Sequence, residues 1–103
     1  MNNEPELKLR NELINIYNSN NFNDLIKRIK NLEENFPKSI FLLNLLGNTY
    51  NQIGDFSEAI INFKKILKIN QNFADSHYNL GIVYKNINQI EKSIDHYKQC
   101  LII

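Results

Sequence analysis

His96 and Cys100 stand four positions apart, a spacing that on a helix puts an imidazole and a thiol on one face, where both could ligate a metal. No further histidine, cysteine or carboxylate cluster completes such a site, so the pair reads as a core thiol beside a surface histidine. His77 reads as a packed ring. Lys27, Arg28 and Lys30 crowd one stretch, yet the net charge is only +1, and the run reads as a solvated helix face with no wider basic footprint for nucleic acid. The sequence shows no nucleophile beside its base, no glycine-rich phosphate loop and no paired carboxylates. It therefore reads as non-catalytic, with no cofactor and no metal.

Composition narrows the class. Hydrophobic residues make up 43% and charged residues 22%, which fits a packed globular chain. No apolar run nears the roughly 20 residues of a membrane span. The opening residues, MNNEPELKLR, carry charges where an export signal carries an apolar stretch. One cysteine forms no internal disulfide, which points to a reduced, cytoplasmic setting. Asparagine, isoleucine and lysine are heavily over-used. AT-rich coding is the simplest source of that bias, so an asparagine at any one place is weak evidence of function.

The elements that position these residues are helices. Leu42, Leu43, Leu46, Tyr50 and Ile53 form one stripe at helical spacing, and Ile60, Phe63, Ile66 and Leu67 form another. The pattern predicts helices over about 6–18, 22–35, 39–52, 56–69, 74–86 and 90–103. Gly54-Asp55 breaks the third from the fourth, with Gly54 suited to a left-handed end and Asp55 or Ser57 to capping the next start. Asn20-Asn21 and Asn88-Gln89 stand at the equivalent breaks, and asparagine is the next best left-handed residue. Pro37 stops the second helix. Loops this short force successive helices antiparallel.

The chain also overlays itself when Leu46 is slid onto Leu80. Leu46-Gly47-x-x-Tyr50 recurs as Leu80-Gly81-x-x-Tyr84, and Ile53, Ile60, Lys64, Leu67 and Ile69 recur as Ile87, Ile94, Lys98, Leu101 and Ile103. A fixed period of this size denotes stacked supersecondary units. The first copy is poorer: Leu9, Phe22, Ile26 and Lys30 keep the frame, but Leu13 and Leu25 fill both small places and Glu12 replaces the core leucine. Gly47 and Ala59 are small where paired helices must approach closely, and the reading sets these two against each other.

These residues resemble tetratricopeptide repeats, helix–turn–helix units of about 34 residues. Leu46/Leu80, Gly47/Gly81 and Tyr50/Tyr84 match the family's Leu-Gly-x-x-Tyr. Ala59/Ser93 match its small twentieth place, Phe63/Tyr97 its aromatic twenty-fourth and Pro37 its proline. The resemblance implies an all-α fold of three stacked antiparallel helix-turn-helix repeats in a right-handed superhelical solenoid, with repeats at 6–39, 40–73 and 74–103. It also implies a non-catalytic scaffold for protein–protein interaction. Two alternatives stand beside it: the N-terminal recognition arm of a larger enzyme of glycosyltransferase, sulfotransferase or oxygenase type, and a self-assembly module. The sixth helix, closing on Leu101, Ile102 and Ile103, leaves an apolar face expected to meet further chain, a partner or a second copy.

By repeat position, the resemblance implies a concave groove lined by the first helix of each pair, binding a peptide or helix through Arg10, Asn11, Tyr17, Phe41, Asn44, Asn48, Tyr78, Asn79, Ile82 and Lys85. Leu45 falls on the same lining. Family members that clamp acidic chaperone tails use lysine, arginine and asparagine at five places. Only Arg10 matches, with Ile14, Leu45, Asp75 and Asn79 at the others, so that clamp is not expected. Other members line the groove with asparagines that bond a peptide backbone, a place Asn11 and Asn79 match, and Tyr78, Tyr17 and Phe41 would add apolar anchors. Asn62 is expected to face outward on a second helix.

Overall fold

The computed structural model describes residues 3–102, so Ile103, the last residue of the third repeat, lies outside the described residues. Six helices run in order: α1 Leu7–Asn18, α2 Phe22–Leu32, α3 Ile40–Ile53, α4 Phe56–Ile69, α5 Ala74–Asn86 and α6 Ile90–Ile102. Each odd-numbered helix packs on the even-numbered one that follows it, and the pairs stack, α3 against α2 and α5 against α4. The described residues contain no strand. The fold is an all-α helical repeat.

The breaks repeat with the sequence. Asn20, Gly54 and Asn88, each one repeat from the next, take the left-handed conformation at φ 62°, 83° and 61°. The amide after each reaches back across the helix end: Asn21 to the Ile16 carbonyl at 3.3 Å, Asp55 to Tyr50 at 2.9 Å and Gln89 to Tyr84 at 2.8 Å. One residue with a left-handed φ thus satisfies terminal carbonyls at all three turns. Asp55 caps α4 through Oδ1, which accepts from the Glu58 amide at 3.3 Å. Helix α2 ends at Leu32, earlier than expected. Asn35 and Phe36 both donate to the Leu32 carbonyl, tightening the chain into the turn that must be extended before Pro37.

Two contacts at the start of α3 have no counterpart in the repeat pattern. Ser39 Oγ accepts from the Leu42 amide at 3.0 Å, a serine cap worth about 1 kcal/mol. The Glu4 carboxylate accepts from Ser39 Oγ and from the Ile40 and Phe41 amides, with Pro5 fully buried beside it in sequence. The segment before α1 therefore straps the first pair to the second, a carboxylate on the positive end of a helix.

The core runs through the stack as Leu13, Leu25, Ile29, Leu42, Leu46, Ala59, Phe63, Ile66, Leu80 and Val83, all nearly or fully buried. A Cβ at Gly47 would lie 2.6 Å from the Phe63 ring, and one at Gly81 would lie 2.6 Å from the ring of Tyr97. The nearest group to Gly47 is therefore the aromatic ring at the twenty-fourth place, a partner that the pairing with Ala59 alone does not include. The small residue still matters, because in the third pair Ser93 Oγ donates to the Gly81 carbonyl at 2.7 Å. We predict that Gly47→Ala destabilises by about 1–3 kcal/mol through overpacking, although alanine is about 1 kcal/mol the better helix former. Adding Phe63→Leu should recover part of that loss. Urea unfolding that left Gly47→Ala as stable as the parent would show that ring and backbone are not in contact.

Candidate functional site

The first helices of the three pairs are tied side by side by polar side chains. The Arg10 guanidinium on α1 lies 5.9 Å from the Phe41 ring centre on α3. Asn79 Nδ2 on α5 donates to Asn44 Oδ1 on α3 at 3.1 Å, and Asn86 Nδ2 donates to Asn51 Oδ1 at 3.3 Å. The two amide pairs stand two helical turns apart on both helices, so they project from the same face. Each bond uses one amide hydrogen and one carbonyl oxygen. What remains at Asn44–Asn79 is two N–H donors on Asn44 and one N–H donor with the Oδ1 acceptor on Asn79, the groups a peptide unit needs.

The ten expected lining residues divide by exposure. Tyr78 is 51% exposed; Asn11 and Lys85 are also exposed, and Arg10, Tyr17, Phe41, Asn44, Asn48, Asn79 and Ile82 are half-buried. Tyr17 sets its ring edge-on to Phe22 at 5.5 Å, and Tyr78 leans on Tyr97 at 5.8 Å. The structure joins Arg10 to Phe41 and Asn44 to Asn79, while Asn11 stands exposed on α1. Leu45 does not line the surface: it is a buried core residue. Asn62 is also corrected. It is 2% exposed, its Nδ2 donating to the Glu58 carbonyl at 2.8 Å. Lys27, Arg28 and Lys30 are exposed, and Arg28 pairs with Asp24 at 3.1 Å, a surface contact worth little.

Between α5 and α6 the two histidines meet. His77 Nδ1 and His96 Nδ1 are 3.2 Å apart, and His77 Nε2 is 3.0 Å from the Gln71 carbonyl oxygen. A carbonyl only accepts, so His77 carries its proton on Nε2. In the neutral pair His77 Nδ1 then accepts, and His96 donates from Nδ1. The His96 ring also stacks on Tyr84 at 5.4 Å and 10°. Burial foremost, then His77 and the Lys64 ammonium, hold the His96 imidazole below its ordinary value of 6.5, with Asp95 pulling the other way. The described residues contain no cluster of three metal-ligating side chains.

Residues 47–88 match the sequence profile of a family described as TPR repeat. The chain is 29% identical over 73 residues, 71% of its length, to the anaphase-promoting complex subunit CDC16 of Saccharomyces cerevisiae, of which it spans 9%. Its fold matches a crystal structure of MamA with a TM-score of 0.81 at 27% identity, covering 94% of this chain and 55% of that one. Residues 47–88 carry the tetratricopeptide repeat pattern. The second such domain of Spaghetti (RPAP3), bound to the HSP90 peptide SRMEEVD, shares the fold with a TM-score of 0.82 over 90% of this chain and 86% of its own, at 9% identity. The family is one of protein–protein interaction modules. No helix among the described residues is long and apolar enough to cross a membrane.

In the α5–α6 pair the two histidines escape sequence reasoning because they sit on facing helices, 19 apart in sequence. The signal available was that both fall inside one repeat unit, on helices that must pack. The asparagine pairs are 35 apart, one more than the period, so overlaying the repeats does not align them. The His96 geometry fixes a pH dependence. Its folded value lies below the unfolded one, so the unfolded chain binds the proton more readily. Stability is complete above about pH 6.5 and is lost as pH falls through the folded value. The melting temperature should therefore drop between neutral and mildly acid buffer, and His96→Asn, which copies Asn62 of the second repeat, should drop less. Identical pH profiles for the two proteins would remove His96 from this role.

Proposed function

We propose that the chain is a non-catalytic protein-interaction module that holds an extended segment of another polypeptide across the first helices α1, α3 and α5. The observation that carries this reading is the pair of amide bridges, Asn44–Asn79 and Asn51–Asn86, beside the exposed Tyr78 ring. Amides already braced against each other are held in place before a ligand arrives, which lowers the ordering cost of binding. Their spare donors and acceptor pair a backbone without demanding a given side chain, so sequence preference falls to the rings of Tyr78, Tyr17 and Phe41.

An acidic tail is a poor fit to this surface. Arg10 lies over Phe41, its Nε buried without a hydrogen-bond partner, and Asp75 on α5 is exposed, where it would repel a carboxylate. The peptide bound by the RPAP3 domain belongs to that protein's chemistry and is not carried over.

A photo-reactive residue at position 78 should cross-link the bound segment, whereas one at position 23, exposed on α2, should not. With that segment as a labelled peptide, Asn79→Ala and Asn11→Ala should each weaken binding by about 1 kcal/mol, and Tyr78→Ala should cost more. Asn23→Ala should leave binding unchanged, replacing Asn62 as the control because Asn62 is buried. Cross-linking of equal strength from position 23, or insensitivity at all three groove positions, would sink the proposal.

A further inference from the structure

The amide bridges are unbalanced in hydrogen-bonding groups. The Asn44–Asn79 bond leaves three N–H donors against the one unused oxygen, that of Asn79. Asn51–Asn86 repeats it, again with the donor on α5 and the acceptor on α3. Asn44, Asn51 and Asn79 are half-buried and Asn86 is exposed, so a ligand can reach all four. An ordinary extended backbone brings one N–H for every carbonyl, and its N–H groups find too few acceptors here. A proline backbone brings carbonyls alone.

The spacing of the bridges selects among backbone conformations. Asn44 and Asn51 are seven residues apart, as are Asn79 and Asn86, which sets the bridges about 10.5 Å from each other along the helices. Carbonyls on one side of a β-strand recur every second residue, at about 6.8 and then about 13.6 Å, and miss that spacing by about 3 Å or more. In a polyproline II helix every third carbonyl points the same way, after about 9.3 Å. The remaining difference of about 1 Å is within the reach of asparagine rotamers. An α-helical ligand repeats at the right distance, but its carbonyls and amides are bonded within it.

The surroundings agree. Helix α3, IFLLNLLGNTYNQI, carries no charged residue, and α5 keeps Asp75 in its first turn and Lys85 in its last. On α5 the half-buried Ile82 lies between the two bridges. Beside Asn79 stands the half-exposed Tyr78 ring, propped on Tyr97 at 5.8 Å, an apolar face on which a pyrrolidine ring packs.

We infer that the partner of this groove is a proline-rich segment in the polyproline II conformation. Its stretch over the two bridges lies lengthwise along α3 and α5, with carbonyls three residues apart accepting from Asn44 and Asn51. This rests on the groove reading above and adds the partner's composition, conformation and direction. A segment already stiff when free also loses little entropy on binding.

The test reads the fluorescence anisotropy of a labelled oligoproline of about nine residues, long enough to span both bridges. Its comparison is a peptide of equal length in alternating L- and D-proline, which has the same carbonyls and rings but cannot form the polyproline II helix. The all-L peptide should bind about ten-fold more tightly or better. Asn44→Asp and Asn51→Asp keep the oxygen that accepts the bridge and remove the spare donors, so each should weaken that binding by about five-fold or more. Asn23→Ala on α2 should leave it unchanged. Absence of oligoproline binding, equal binding of the two peptides, or insensitivity to both aspartates overturns the proposal. Cross-linking from position 78 separates this failure from that of the groove reading. Capture there of a partner segment without proline keeps the groove and discards the proline-rich partner, whereas equal capture from position 23 discards both.

Discussion

At Gly47 and Gly81 the backbone of one helix approaches an aromatic ring of the next so closely that a single added carbon would fall 2.6 Å from it. This contact sets the separation within a pair, and the stacking of pairs follows from it. Glycine inside a helix costs about 1 kcal/mol, and what offsets it is the burial of Phe63 to 1% exposure. The first repeat solves the same problem in reverse. Leu13 stands where the others have glycine, and Ile29 stands where they have a ring; both are buried to 1% or less. Bulk lost at the twenty-fourth place is more than regained at the eighth and twentieth, where Leu13 and Leu25 stand, so the side-chain volume is redistributed. The degenerate first repeat is therefore a different packing solution.

Much of the architecture was legible because it is local. A helix stripe, a left-handed residue and a cap depend on residues within a turn or two of one another, and the repetition multiplies each signal. Asn20 and Asn88 were readable as left-handed ends only because Gly54 occupies the place between them, and the φ values agree. What escaped depends on which element lies next to which. Asn62 is buried by the packing of helices around α4, the Glu4 strap joins positions 35 to 37 apart, and the histidine pair spans a helix hairpin. None of these produces a period, and none is visible until the helices are placed.

The groove shows the same division more sharply. Position in the repeat does not reveal the bonds between the first helices, because the Asn44–Asn79 and Asn51–Asn86 bridges run from the fifth and twelfth places of one repeat to the sixth and thirteenth of the next. A stagger of one position lets side chains on neighbouring parallel helices reach each other. The same-position series through Asn11 and Asn79 is broken at Leu45, which is buried. The amides are linked across repeats, and Leu45 belongs to the core.

Compositional bias supplied many asparagines, yet the structure sorts them by physics. Asn20 and Asn88 serve the backbone, tolerating a φ that β-branched residues resist. Asn70 Oδ1 accepts from the Asn72 amide at 3.1 Å and shapes the loop before α5. Asn62 is buried and returns a bond to its own helix. Among the described residues, Asn44, Asn51, Asn79 and Asn86 bond one another across helices, with hydrogen-bonding groups to spare. Abundance explains why the residue type was at hand. It does not explain two staggered pairs in register, two turns apart on the same two helices, and that coincidence of spacing is what makes the face between α3 and α5 the strongest candidate for holding a backbone.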